Sequence, residues 1–335
     1  MKGLSVDQGL IRLTVAWNGE RVIGARVASQ RPQAAGLLAG RPVAEAVALA
    51  PRLFSLCGKA QGAAAQLAAA AATGAEMPVT PLLRGLVLEA IGEHLWRLLL
   101  DWPLVLGRVP DKAQFILWRQ RLLSVRGGDD DHLLARDLSD WVATLTVCPE
   151  PGSQAARSPV LLPWLTAADC ALQQIDAGFA AQPTFAGKPA ETGPLARQFE
   201  TPAVAALLAA GQTVAARLAA RHADLDLLAR ALIDPALVCH WLGSVAIASD
   251  IGLARVETAR GTLIHLMQVK DGRVGGYVIV APTEWNFHPQ GAFVREITGC
   301  PAATRDAAAF LARRLALALD PCVSHEVVIE EVNDA

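Results

Sequence analysis

The residues of this chain best suited to soft-metal or nucleophilic chemistry are its 6 cysteines and 7 histidines, and they are scattered. Cys57, Cys148, Cys170, Cys239, Cys300 and Cys322 form no Cys-x-x-Cys pair. Neither a zinc finger nor a disulfide framework is encoded, and any shared site must join cysteines distant in sequence. The one compact grouping is Asp320-Pro321-Cys322-Val323-Ser324-His325, where a thiolate and an imidazole three apart reach one metal if both lie on one turn. A buried cysteine and a histidine at a helix end give the same letters. Cys239 and His240 are adjacent, which on a helix sends them to different faces. For anions, Arg260 opens and Thr283 closes a segment that reads as a hairpin, so both can present donors to one ligand. A surface arginine and a turn threonine fit that pattern too. Glu89, Glu93 and His94 share a helical stretch in which His94 reads as a packing residue. No glycine-rich phosphate loop, Gly-x-Ser-x-Gly or His-Glu-x-x-His is present.

These groups need elements to position them. Leu10 to Val15 and Arg21 to Ala28 alternate apolar with polar around Asn18-Gly19, which predicts a hairpin closed by a type I′ turn. Leu263 to Val269 and Val274 to Ala281 predict a second hairpin across Asp271-Gly272. Helical spacing marks Pro81 to Leu100, Ala113 to Leu123, His132 to Thr146, Thr201 to Leu232, Pro235 to Ala248 and Arg305 to Leu319. Asp129, Asp130 and Asp131 suit the positive start of one such helix. The alanine run 63–72 reads as a tightly packed helix, and 148–163 and 182–194 as loops. The expected architecture is mainly α with small β-hairpins, an α+β fold. One domain spans residues 1–335, with a hairpin and lead-in at 1–56, a helical bundle at 57–256, and the second hairpin and C-terminal helix at 257–335.

Composition narrows the function classes. With 53% hydrophobic and 19% charged residues, the chain folds around a substantial core. Its uncharged stretches are alanine-rich and too short for a membrane span, so no membrane insertion is expected. A net charge of −2 with mixed signs gives no footprint for nucleic acid. The first residues, Met1 to Asp7, lack the apolar core of a secretory signal, and a cytoplasmic location is expected.

In order and over nearly its whole length, the chain resembles the large subunit of nickel-iron hydrogenases. Residues 257–286 are similar to that family's E-x-P-R-G-x-L-x-H, hairpin and V-P-T-x-W-N, residues 193–197 to its G-P-L-A-R, and Asp320-Pro321-Cys322 to its D-P-C-x-x-C-x-x-H. The resemblance implies a large-subunit-like helical bundle. It also implies that Arg260, with Thr283 and the adjoining Pro282, contacts the cyanide ligands of an iron.

Departures from the family pattern are selective. Of the four thiolates that hold nickel in the family, Cys57 and Cys322 remain, Phe54 stands at a third position and His325 at the fourth. Phenylalanine cannot ligate a metal, so no nickel is expected. The family's proton-path glutamate aligns with Gln8 and its magnesium-binding glutamate with Ala35. The cleavage signal near the family's C-terminus is missing, so the segment from Glu326 to Ala335 is expected to stay. This pattern resembles the hydrogenase accessory proteins of the HupK/HoxV type. The resemblance implies a non-catalytic scaffold that transiently holds Fe(CN)2(CO) on Cys57 and Cys322, with His325 as a third ligand or proton acceptor. Its implied partners are a HypC/HypD-type chaperone complex and a hydrogenase large subunit. A cofactor-free structural or chaperone relative, and an active large subunit, are the competing readings.

Overall fold

A computed structural model describes residues 9–30, 34–54, 56–147 and 158–332. Gln8 and Cys148 lie outside the described residues. The chain begins with the expected hairpin, β1 (Leu10–Trp17) antiparallel to β2 (Val22–Ser29). Its connection is not a type I′ turn, because only Gly19 takes a positive φ, +98°. The Asn18 carboxamide shapes the turn instead, accepting from the backbone N–H groups of Glu20 and Arg21. A 3-10 turn, Ala34–Leu37, leads to α1 (Val43–Leu53) and α2 (Gly58–Thr73).

The alanine-rich run has a packing cause. Helix α2 is buried on nearly every side, and β4 (Ile251–Thr258), the second strand of the four-stranded sheet, crosses it at Gly252. A Cβ at that glycine would stand 2.1 Å from the Ala68 carbonyl oxygen, so only small residues on both sides allow the contact. Helix α3 (Thr80–Trp96) continues through a π-helical turn, Arg97–Asp101, into α4 (Trp102–Val105). Helices α5 (Lys112–Ser124) and α6 (Asp129–Ala143) follow. The three aspartates form the first turn of α6, where Asp131 also pairs with Arg84.

Short helices α7 (Ala167–Ala171), α8 (Ala177–Ala181) and α9 (Pro194–Gln198) decorate a largely irregular stretch. The long pattern from Thr201 is two helices, α10 (Pro202–Ala209) and α11 (Thr213–Ala231), broken where Gly211 takes φ +73°. The expected helix from Pro235 to Ala248 is half wrong. Pro235–Trp241 is a 3-10 turn, and Leu242–Ala248 is strand β3, pairing with β4, which the sequence reading missed. Then come β5 (Gly261–Lys270) and β6 (Arg273–Val280), giving the order β3-β4-β5-β6. Asp271 and Gly272, at φ +50° and +71°, close β5 to β6 as expected of a tight hairpin.

Helices α12 (Pro282–Asn286), α13 (Ala292–Ile297) and α14 (Arg305–Leu319) complete the α layer. Strand β7 (Ser324–Glu331) then pairs parallel with β1, so that most of the expected C-terminal tail is the third strand of the first sheet. One core joins α1–α3, α11 and the four-stranded sheet, and a second lies between β1, α13 and α14. The fold is an α+β mixture, as expected. Among the described residues no helix is long and apolar enough to cross a membrane.

Candidate metal-binding pocket

Cys57 stands at the N-cap of α2 and Cys322 follows the end of α14, yet both, half-buried, line one small cavity of about 20 Å³. Arg260, Thr283, Pro282, Gln61 and Phe54 share its walls. Five of the six candidate residues therefore converge. Arg260 occupies the turn between β4 and β5, and Thr283 lies three residues beyond β6. Because β5 pairs with both neighbours, the start of β5 and the end of β6 are brought together, as the hairpin argument requires.

The turn carrying Arg260 is set by glycines. Gly261 takes φ +128°, and a Cβ on Gly193 would sit 2.6 Å from the Arg260 carbonyl oxygen. Residues 193–197 thus press against the Arg260 turn. Arg197 then locks the strand behind it, donating to both Asp224 oxygens at 2.9 and 2.6 Å, and to Glu257.

His325 is not among the cavity residues. It lies in β7, opposite Ile11 in the parallel register, and Cys322 precedes that strand in an irregular segment. The two side chains do not share a helical turn, so the geometry that would let them grip one metal from Cys322 to His325 is not formed. Among the described residues no group of three or more His, Cys, Asp and Glu side chains is arranged to hold a metal. Ala35 is not among the residues lining the cysteine cavity and stands on the wall of a larger cleft.

A buried ionic cluster backs the cavity. Arg260 donates through Nη1 to Glu93 on α3, and its Nε lies 3.3 Å from Asp320. Asp320 accepts from Arg97 at 2.6 Å and pairs with Arg221 at 3.0 Å. Burial alone would lower the Arg260 guanidinium, but Glu93 and Asp320 outweigh it and hold it charged. Burial lifts the Glu93 carboxyl to about 7 despite the Arg260 contact. Burial would also raise Asp320, but Arg97, Arg260 and Arg221 hold it well below the carboxylate range.

The cysteines differ in their surroundings. Thr283 Oγ1 donates to Cys322 Sγ at 3.0 Å and accepts from the Cys322 N–H at 3.3 Å. Burial, reinforced by Cys322 and Glu93, pushes the Cys57 thiol up, so it is protonated until something displaces the proton. Gln61 Nε2 donates to Cys57 Sγ at 3.6 Å. With that orientation Gln61 Oε1 faces His265 Nε2 at 2.9 Å, which therefore carries the imidazole proton, while Nδ1 accepts from the Tyr277 hydroxyl at 2.8 Å. Sequence reading missed this chain, although Gln61 stands one helical turn after Cys57. It also left Arg97, Arg221 and the paired roles of Glu93 and Asp320 unassigned. His94 is the packing residue expected, fully buried between Asp224 and Arg221.

Two sulfurs beside a permanently charged guanidinium suit a soft metal that carries anionic ligands. The cavity holds one or two water-sized groups as it stands, so a metal with three diatomic ligands needs a wall to move.

The nickel-dependent hydrogenase family model matches residues 240–327, the stretch from β3 into β7. Over 91% of its length the chain is 34% identical to the hydrogenase expression/formation protein HoxV of Cupriavidus necator, covering 93% of that protein. It is 30% identical to the hydrogenase expression/formation protein HupK of Rhizobium leguminosarum bv. viciae, over 98% of both chains. In structure it resembles the Ni-Fe-Se hydrogenase of D. vulgaris Hildenborough with a TM-score of 0.63 at 15% identity, over 92% of this chain and 95% of that one.

Proposed function

The chain belongs to the HoxV/HupK family of hydrogenase expression/formation proteins, and from that premise we propose that it is a non-catalytic maturation factor of nickel-iron hydrogenase. Its cargo in this reading is the Fe(CN)2(CO) unit, held before transfer to the large subunit. The observation that carries the proposal is the meeting of Cys57 and Cys322, 265 positions apart by their numbers, in one cavity walled by Arg260 and Thr283. Cys57 and Cys322 ligate the iron, each thiol giving up its proton as the sulfur bonds. Arg260 faces the cyanides, whose negative charge a buried, always protonated guanidinium suits. The Thr283 hydroxyl adds a donor once it turns from Cys322.

The same cavity argues against hydrogen turnover by this chain. Phe54 occupies its wall with a ring that offers no donor atom, and the residues lining it supply two sulfurs where a tetrathiolate nickel site needs four. The partners in this reading are a HypC/HypD-type complex that supplies the iron unit and a hydrogenase large subunit that takes it. The test is infrared spectroscopy of protein isolated without oxygen from cells that mature a hydrogenase. Cyanide and carbonyl bands that vanish in Cys57→Ala and Cys322→Ala are expected. A wild type with neither bands nor iron would overturn the proposal in favour of a cofactor-free chaperone, and stoichiometric nickel would overturn it in favour of a catalytic subunit.

A further inference from the structure

The cysteine cavity, about 20 Å³ with its two thiols half-buried, is too narrow for a metal with diatomic ligands, which needs room to enter. A surface cleft of about 480 Å³ lies between the first sheet, α8 and β6. Three residues line both spaces, namely Phe54, Ala281 and Thr283. Ala281 is small, and the Thr283 hydroxyl is tied to Cys322, so the ring of Phe54 is the bulk of the partition. Phe54 is half-buried and follows directly on Leu53, the last residue of α1, outside any helix or strand. Most other cavity walls come from the start of α2, the β4–β5 hairpin and α12, and Cys322, in the segment after α14, is held by the Thr283 hydroxyl. A second surface cleft of about 570 Å³ reaches Glu93 but shares no lining residue with the cysteine cavity. A further link joins the first cleft to the thiols, because Tyr277 lines it and starts the hydrogen-bond chain that ends on Cys57.

We propose that the 480 Å³ cleft is the entry vestibule of the cysteine pocket, and that Phe54 is the door through which a small thiol-seeking guest, a soft metal with its diatomic ligands, passes. Swinging the ring toward the cleft joins the two spaces without moving a strand or a helix, and supplies the volume that the narrow cavity lacks. This inference rests on the reading of the pocket as a guest site.

Iodoacetamide alkylation, followed per cysteine by mass spectrometry on the full chain, tests it. Phe54→Ala is expected to speed modification of both Cys57 and Cys322 at least tenfold, with buried Cys170 unchanged and exposed Cys239 as the fast reference. Phe54→Trp is expected to slow both. Ala181→Trp on the cleft wall is expected to slow them with Phe54 intact, whereas Arg119→Trp in the second cleft is not. Unchanged rates in Phe54→Ala with a native circular-dichroism spectrum, or slowing by Arg119→Trp and not by Ala181→Trp, would overturn the route. Alkylation reports the access and ionisation of each thiol and needs no iron, so the route fails or stands separately from the infrared bands that test iron binding.

Discussion

Replacing Asp320 by Asn removes the charge at the hub of the buried cluster while keeping the side chain's shape. Asp320 is 3% exposed and faces three guanidiniums, at 2.6 Å from Arg97, 3.0 Å from Arg221 and 3.3 Å from Arg260. Arg97 retains Asp101 and Arg260 retains Glu93, but Arg221 is left with the neutral ring of His94. One buried positive charge loses its partner, which costs roughly 3–5 kcal/mol, a large share of the 5–15 kcal/mol typical of a folded protein. The backbone adds a second test. Asp320 takes φ +56° as it ends α14, a conformation Asn tolerates and Ala resists by about 1–2 kcal/mol. Urea unfolding is therefore expected to rank wild type above Asp320→Asn above Asp320→Ala, with midpoints falling at constant slope. A loss below about 1 kcal/mol in Asp320→Asn would refute the claim that the cluster is charge-matched through this residue. Equal losses for Asn and Ala would refute the backbone part.

Gly252→Ala is expected to cost more than about 3 kcal/mol and to lower soluble yield, because the added carbon would meet backbone atoms of Ala68 and Ala72 at 2.1 and 2.4 Å; a wild-type urea midpoint would contradict that contact. Burial holds His265 neutral by lowering it from 6.5 to about 3, so between those values the unfolded chain binds a proton that the folded one refuses. Stability is then full above about pH 6.5 and falls on acidification, by about 1.4 kcal/mol per pH unit from this residue. In His265→Gln the dependence between pH 5 and 6.5 is expected to flatten by one proton, and an unaltered slope would count against it. Arg197→Lys loses the two-pronged contact with Asp224 and the stacking 4.8 Å over Trp241, with an expected cost on the order of 3 kcal/mol in the same unfolding assay. A change of a few tenths would show that the fork is dispensable.

Some of this was legible in the letters because it is local or carried by family-like motifs. Both hairpins, α14 and the alanine-rich α2 follow from periodicity and turn residues. Arg260, Thr283 and Cys322 sit in strings whose resemblance named them. Strands β3 and β4 were lost because Leu242–Ala248 carries small residues that suit a helix, and because β4 is buried along most of its length and does not alternate. The Asn18 turn shows that an Asn-Gly pair need not place both residues at positive φ when the asparagine side chain bonds forward. His325 failed as a neighbour of Cys322 because strand, not helix, follows the cysteine. The ionic cluster was invisible, since Arg97, Asp320, Arg221 and Glu93 meet only after α3, α11 and α14 pack together.

The parallel pairing of β1 with β7 also governs when the pocket comes into being. Residues 10–17 are synthesised more than 300 positions before their partners 324–331. A contact of such sequence separation forms late, after the intervening helices have condensed. Cys322 stands just before β7, so the two thiols meet only once the 264 residues between them have left the ribosome. Until then Cys57 has no second sulfur beside it, and a stray metal ion met during synthesis finds a single thiol and not a chelating pair.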